Sequence, residues 1–213
     1  SGNSRAAALV ELRQALDDAK DFSRNRKAAL AGDHRDYELS YADLAALEPV
    51  VNGNKPLLVR TNRASDIKNI LNIALEFQLK LILMSALEGW MVADEIAAAG
   101  VPVIMDPINN LPRAYESLGA RLDNAKLLSD AGVTLIFTGM GRSESHNAYL
   151  VRQSAGNAVT NGLDKSKAIA AMTKNPAKLF KASVTGDIVV GGLADLVLWG
   201  GDPLELTSEA ELV

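Results

Sequence analysis

The sequence predicts an α/β fold in which a parallel sheet is covered by helices, and three observations predict it. Short apolar runs begin near residues 57, 80, 101 and 133, about 25 residues apart, the spacing of a strand plus its crossover helix. The phrases Ala99-Gly100-Val101-Pro102-Val103-Ile104 and Ala131-Gly132-Val133-Thr134-Leu135-Ile136 repeat one pattern, a glycine closing a helix and feeding a strand. These runs are continuously apolar, as in strands buried on both faces. Eight such units close a (β/α)8 barrel of roughly 250 residues. Four are legible here, so the predicted fold is half of such a barrel.

The elements follow in order. Asn3 or Ser4 caps a first helix to about Phe22, with Leu9, Leu12, Leu16 and Ala19 on one stripe. The polar stretch 23–38, which holds His34, reads as a fraying helix end and an exposed loop. Ser40 starts a second helix through Val51, with Asp43 at the capping-box distance. Strand 57–59 precedes a helix over 65–77, with Ser65 as its cap and Ile67, Ile70, Leu71 and Ala74 facing inward. Strand 80–84, helix 90–99, strand 101–105, helix 123–131 and strand 133–137 complete the series.

Composition narrows the function classes. The chain has 213 residues, 48% hydrophobic and 23% charged, ordinary for a globular protein. A net charge of −4 without a basic stripe leaves no footprint for nucleic acid. No apolar run approaches a membrane-spanning length. Without cysteine, disulfides and thiolate metal sites are excluded. The chain starts at Ser1 and enters a helical pattern at once, which reads as a piece of a longer protein. Any targeting signal then lies outside it, and the compartment, cytoplasmic or periplasmic, stays open.

Near the C-terminus stand Asn175-Pro176-Ala177-Lys178-Leu179-Phe180, then Gly186-Asp187-Ile188-Val189-Val190-Gly191-Gly192, then Ala194-Asp195-Leu196-Val197-Leu198-Trp199. Asn175 can cap a helix whose first turn accepts Pro176. Gly191 and Gly192 supply a turn between strand-like runs 187–190 and 196–199. This ordered series resembles the closing segment of the amidohydrolase superfamily, particularly its imidazolonepropionase-like members. The resemblance implies that the four strands are barrel strands 5 to 8, the C-terminal half of a TIM-type barrel. Residues 1–185 would form the half-barrel with leading helices, and residues 186–213 the start of an accessory β-sandwich with one or two strands.

The resemblance also implies a site. In the family, strands 5 and 6 each give a histidine and strand 8 an aspartate to a divalent metal such as zinc, which activates a water for hydrolysis of non-peptide C–N bonds. Where the family's strand 5 reads Val-His-Ala-His-Arg, this chain has Val59-Arg60-Thr61-Asn62-Arg63. Where strand 6 resembles Val-His-Gly-Thr-Glu-Ala-Trp, it has Met84-Ser85-Ala86-Leu87-Glu88-Gly89-Trp90. Where strand 8 ends Thr-Asp or Ser-Asp, it has Phe137-Thr138-Gly139-Met140. Arg60, Ser85 and Gly139 thus occupy the three ligand positions. A guanidinium has no lone pair for a metal, so no metal and no catalytic residue is expected in this half.

Other groupings have plainer readings. Ser143, Glu144 and His146 are adjacent in sequence, whereas a triad converges in space; they read as a polar loop with a possible ligand contact at His146. Ser65 and Lys68 match Ser-x-x-Lys, but a helix cap accounts for the serine. Gly139, Gly141 and Arg142 form an incomplete phosphate cradle, with Arg142 a possible anion contact. Asp106-Pro107-Ile108-Asn109-Asn110-Leu111-Pro112 reads as a rigid family loop, and Gln153–Ala158 as a helix kept small for close packing.

The expectation is a degenerate, metal-free amidohydrolase homologue serving as a binding or partner module. Two alternatives stand beside it. One is an active hydrolase whose ligands lie mainly in the other half; the other is a sensor of a small acidic ligand through Arg60, Asn62 and Arg142. The partner expected is a second copy or the N-terminal half of the same protein, because a half-barrel would bare its lining face and two strand edges.

Overall fold

The computed structural model describes residues 4–139 and 149–213. Its central feature is a four-stranded sheet of β1 (Leu57–Thr61), β2 (Leu81–Ser85), β3 (Val103–Met105) and β4 (Leu135–Phe137), in that order. β2 pairs in parallel with β3, and β3 with β4, with Leu83 opposite Val103 and Val103 opposite Leu135. The helices α3 (Ala64–Phe77), α4 (Ala93–Ala98) and α5 (Asn124–Asp130) are the crossovers. Gly100 and Gly132 close α4 and α5 at φ of 63° and 92°, as the repeated phrases predict. α6 (Leu150–Thr160), α7 (Lys165–Met172) and α8 (Lys174–Leu179) follow, then an antiparallel pair, β5 (Leu198–Trp199) and β6 (Ala210–Leu212). Among the described residues no helix is long and apolar enough to cross a membrane.

Contacts divide the chain into two compact units, one of residues up to Val59 with Lys68–Ile82, the other of Arg60–Ile67 with Leu83–Val213. The expected boundary at 185/186 falls inside the second.

The first unit is built on α1 (Arg5–Ala31) and α2 (Tyr41–Val51). Ser4 caps α1, its hydroxyl accepting from Ala7 N–H, and Ser40 caps α2 through Asp43 N–H. α1 does not stop at Phe22. It bends at Asn25, whose side chain returns to the Asp21 carbonyl and carboxylate, and runs on to Gly32 at φ 79°. The segment after it is no free loop. His34 Nε2 lies 2.7 Å and the Tyr37 hydroxyl 2.8 Å from Asp21 Oδ2, while Arg35 donates to buried Asp18 at 2.8 Å. Tyr37 and Tyr41 close on Phe22, which is 1% exposed. His34, expected at the surface, is therefore half-buried and bonded.

In the second unit the sheet is better covered than a half-barrel suggests. Every residue of β3 and β4 is 5% exposed or less, so the bare lining face expected there is not found. α5, α6, α7 and α8 all pack against β4. At the edge, Arg60 of β1 is exposed, and Leu58, in the part of β1 that belongs to the first unit, is 42% exposed.

The C-terminal series departs from its sequence reading in two places. Asn175 lies inside α8 and caps nothing; its amide donates 2.8 Å to the Leu135 carbonyl on β4. Residues 187–190 are not a strand, although the turn at Gly191 is present, with Gly192 N–H on the Val189 carbonyl. Gly156 of α6 lies under the Leu204 carbonyl, where an added Cβ would stand 2.7 Å from that oxygen. The small residues of α6 thus serve docking of the C-terminal segment, which Arg152 reinforces by stacking on Trp199 and donating to the Ser208 carbonyl.

The Asp21 cluster sets an acid limit on the first unit. Hydrogen bonds from His34, then Tyr37, hold Asp21 down to about 2 from its ordinary 3.8. A depressed carboxylate stabilises above its unfolded value and loses that contribution as pH falls from about 3.8 through about 2. Thermal melts across that window should show the native chain losing stability there, and Asp21→Asn should flatten this part of the profile. An unchanged profile in the variant would remove Asp21 from the account.

Candidate functional site

In a parallel sheet the strands deliver their carboxyl ends to one edge, where the loops after β1, β2, β3 and β4 meet. The three expected ligand positions reach this edge. Arg60 is the penultimate residue of β1, a strand two residues longer than predicted; Ser85 ends β2; Gly139 lies two residues beyond β4. Ser85 is buried, 6% exposed. Arg60 is exposed and has no carboxylate partner among the described residues. Asn62 is half-buried, with its side-chain oxygen enclosed and unpartnered. Arg142 and His146 lie outside the described residues. Among those described, no three His, Asp or Glu side chains gather to share a metal ion.

The local geometry is dominated by the turn that ends β2. Ser85 and Ala86 have φ of 77° and 49°, left-handed values that cost an L-residue roughly 1–2 kcal/mol each. Hydrogen bonds hold the chain there. Ala86 N–H donates to the Thr61 carbonyl at 2.8 Å, and Glu88 N–H to the Asn62 carbonyl at 2.9 Å. Asn124, 2% exposed, spans the turn: its amide donates to the Ala86 carbonyl and its oxygen accepts from Trp90 N–H, each at 3.0 Å.

Glu88 is the residue that sequence reasoning passed over. One carboxylate oxygen accepts from Ala64 N–H at 3.1 Å and the other from Gly119 N–H at 3.0 Å. The first bond places a negative charge on the N-terminus of α3, where the helix dipole favours it. Ser65, the expected cap, is inside that helix. Trp90 Nε1 donates to the Gly119 carbonyl at 2.7 Å, and Arg121 lies 4.6 Å over the Trp90 ring. At the other end of the same loop, Asp106 accepts from the Ser154 hydroxyl at 3.0 Å, and the Asn110 amide donates to Asn157 at 3.1 Å. The rigid-loop reading of residues 106–112 is explained by these ties to α6.

Comparison with known proteins bears on this arrangement. The sequence model of the Amidohydrolase family matches residues 10–212. The chain belongs to the amidohydrolase family. Among solved structures it is similar to an amidohydrolase from Thermotoga maritima, at 22% identity and a TM-score of 0.82, over 98% of this chain and 54% of that one. It is also similar to a prolidase complexed with N-methylphosphonate-L-proline, at 16% identity and a TM-score of 0.52, over 78% of this chain and 43% of that one. The chain thus spans about half the length of these amidohydrolase-fold structures. No curated protein matches it.

The turn is also tight around Gly89. A Cβ built on Gly89 would lie 3.3 Å from the Ala86 Cβ and 3.3 Å from Leu128. The slot holds one methyl, that of Ala86, which stands at a left-handed position. A concavity of about 860 Å³ is also present, lined by Ile169, Ile188, Leu193, Leu196 and Trp199. None of Arg60, Ser85 and Gly139 lines it.

The shared slot predicts a coupled pair. Ala86→Gly should stabilise the fold by up to about 1 kcal/mol, the relief of left-handed strain less the entropy cost of glycine. Gly89→Ala alone should destabilise it by about 1 kcal/mol or more through overpacking. Together the second change should cost markedly less, a coupling of about 1 kcal/mol. Urea denaturation of the four proteins measures this, and strict additivity would show that the methyls do not share a slot.

Proposed function

We propose that this chain is a catalytically degenerate, metal-free form of the amidohydrolase half-barrel that acts as a binding or partner module. The observation that carries the reading is the donor set at the strand ends: Arg60 at β1, Ser85 at β2 and Gly139 after β4. A guanidinium offers no lone pair and repels a cation, serine is a poor ligand for a first-row metal, and glycine has no side chain. The residues present do not fit a catalytic divalent metal. What remains of the family's site is its scaffold, the strained turn, the Asn124 staple and the Glu88 carboxylate.

A second reading is favoured by Arg60 itself. An exposed guanidinium without a carboxylate partner among the described residues, at the end of a strand, suits a small acidic ligand. The partner we propose is a second copy or the N-terminal half of the same protein. Support comes from edge strand β1, with Leu58 at 42% exposed, and from the C-terminal segment, where Ile188, Leu193 and Leu198 are 84%, 65% and 58% exposed. Apolar surface of this kind is covered in most soluble assemblies.

Two measurements test the proposal. Elemental analysis of the purified protein should find zinc, iron and manganese far below one per chain; one tightly held metal per chain, lost on changing a residue at a strand end, would refute the metal-free reading. Light scattering should find an assembly larger than the 22.6 kDa chain, and a well-folded, monodisperse monomer would refute the partner reading.

A further inference from the structure

We propose that residues 111–118 form a strap at the carboxyl end of the sheet, fastened at its far end by a two-sided clasp on Gly119 that Glu88 and Trp90 close. The inference concerns motion of the loop and does not depend on the binding-module reading.

The strap has the parts such a device needs. Its near end is fixed by the Asp106–Ser154 and Asn110–Asn157 bonds to α6. Its middle carries an internal knot: Ser117, 4% exposed, accepts from Arg113 and Ala114 N–H and donates to the Ala114 carbonyl. That knot lets it move as a unit. Yet its apolar side chains are not packed away, with Leu111, Tyr115 and Leu118 at 53%, 84% and 64% exposed. A segment with few buried apolar contacts opens at lower free energy than the core around it.

The far end is held on both sides of one residue. The Glu88 carboxylate takes Gly119 N–H, and the Trp90 indole gives its N–H to the Gly119 carbonyl. The backbone approaches closely there: a Cβ on Gly119 would stand 2.4 Å from Met91 Cε and 3.0 Å from Glu88 Cγ, so both side chains would have to give way. Because the other Glu88 oxygen holds Ala64 at the start of α3, the clasp also ties the strap to the loop after β1. Releasing Gly119 would therefore free residues 111–118 while β2, β3 and β4 keep their own ladder.

Hydrogen–deuterium exchange of the intact chain, read by mass spectrometry, tests this with Glu88→Gln and Trp90→Phe. Glu88→Gln should speed exchange across residues 111–119 roughly tenfold or more, the loss of a charge-assisted bond, with strand amides unchanged. Trp90→Phe keeps an aromatic ring for Arg121 but removes the indole N–H together with the pyrrole half of the ring, so it should act in the same direction. It decides alone if Glu88→Gln does not fold. Unchanged exchange over the strap in the variants would overturn the proposal. So would strand amides accelerating in step with it, because the loop would then be part of the core and not a separable strap.

Discussion

The second unit depends on the turn in which β2 ends. Two successive residues there, Ser85 and Ala86, sit at positive φ, and neither is glycine. Such a turn persists only when its surroundings over-determine it. They do so through backbone bonds to Thr61 and Asn62 and through the carboxamide of Asn124. Asn124 matters because its two hydrogen-bonding ends are both used inside the protein, where an unpaired polar group is costly. From this fixed point Glu88 and Trp90 project to the loops on either side and tie together the strand ends near Arg60 and Ser85.

The frame and the residues at the strand ends answer to different physics. The frame consists of backbone bonds, buried apolar strands and close approaches at glycine, each of which is felt in folding stability. Arg60 stands exposed near the end of β1, where replacement disturbs little packing, whereas Ser85 is buried in the strained turn.

Periodicity and punctuation were legible in the sequence to the extent that they are local. The four strands, the glycines closing α4 and α5, the Ser40 cap and the first-turn position of Pro176 follow from neighbouring residues. What was not legible depends on partners far along the chain. The start of α3 is satisfied by Glu88 and not by Ser65; Asn175 serves β4 and not its own helix; Gly156 makes room for Leu204. α1 outran its predicted end because Asn25 and Asp21 mend the bend, and because the polar residues after it bond to α1. Runs 187–190 and 196–199 look alike in composition, but a strand requires a pairing partner, and only β5 has one, in β6. The residues at the expected ligand positions were visible as residues. The exposure of Arg60 was not, since it follows from β1 lying at the edge of the sheet.

The attachment of the C-terminal segment has a consequence for solution conditions. Its ties to the helices are charged: Lys165 with Asp202, and Lys174 with Asp187, both pairs largely in solvent. The apolar anchor beneath them is Leu204 at the Gly156 contact. Counter-ions screen exposed pairs and leave a buried leucine untouched. Ionic strength therefore acts on the tail as a separate dial: added salt loosens residues 184–203 about the Leu204 pivot, while the apolar sheet holds its register.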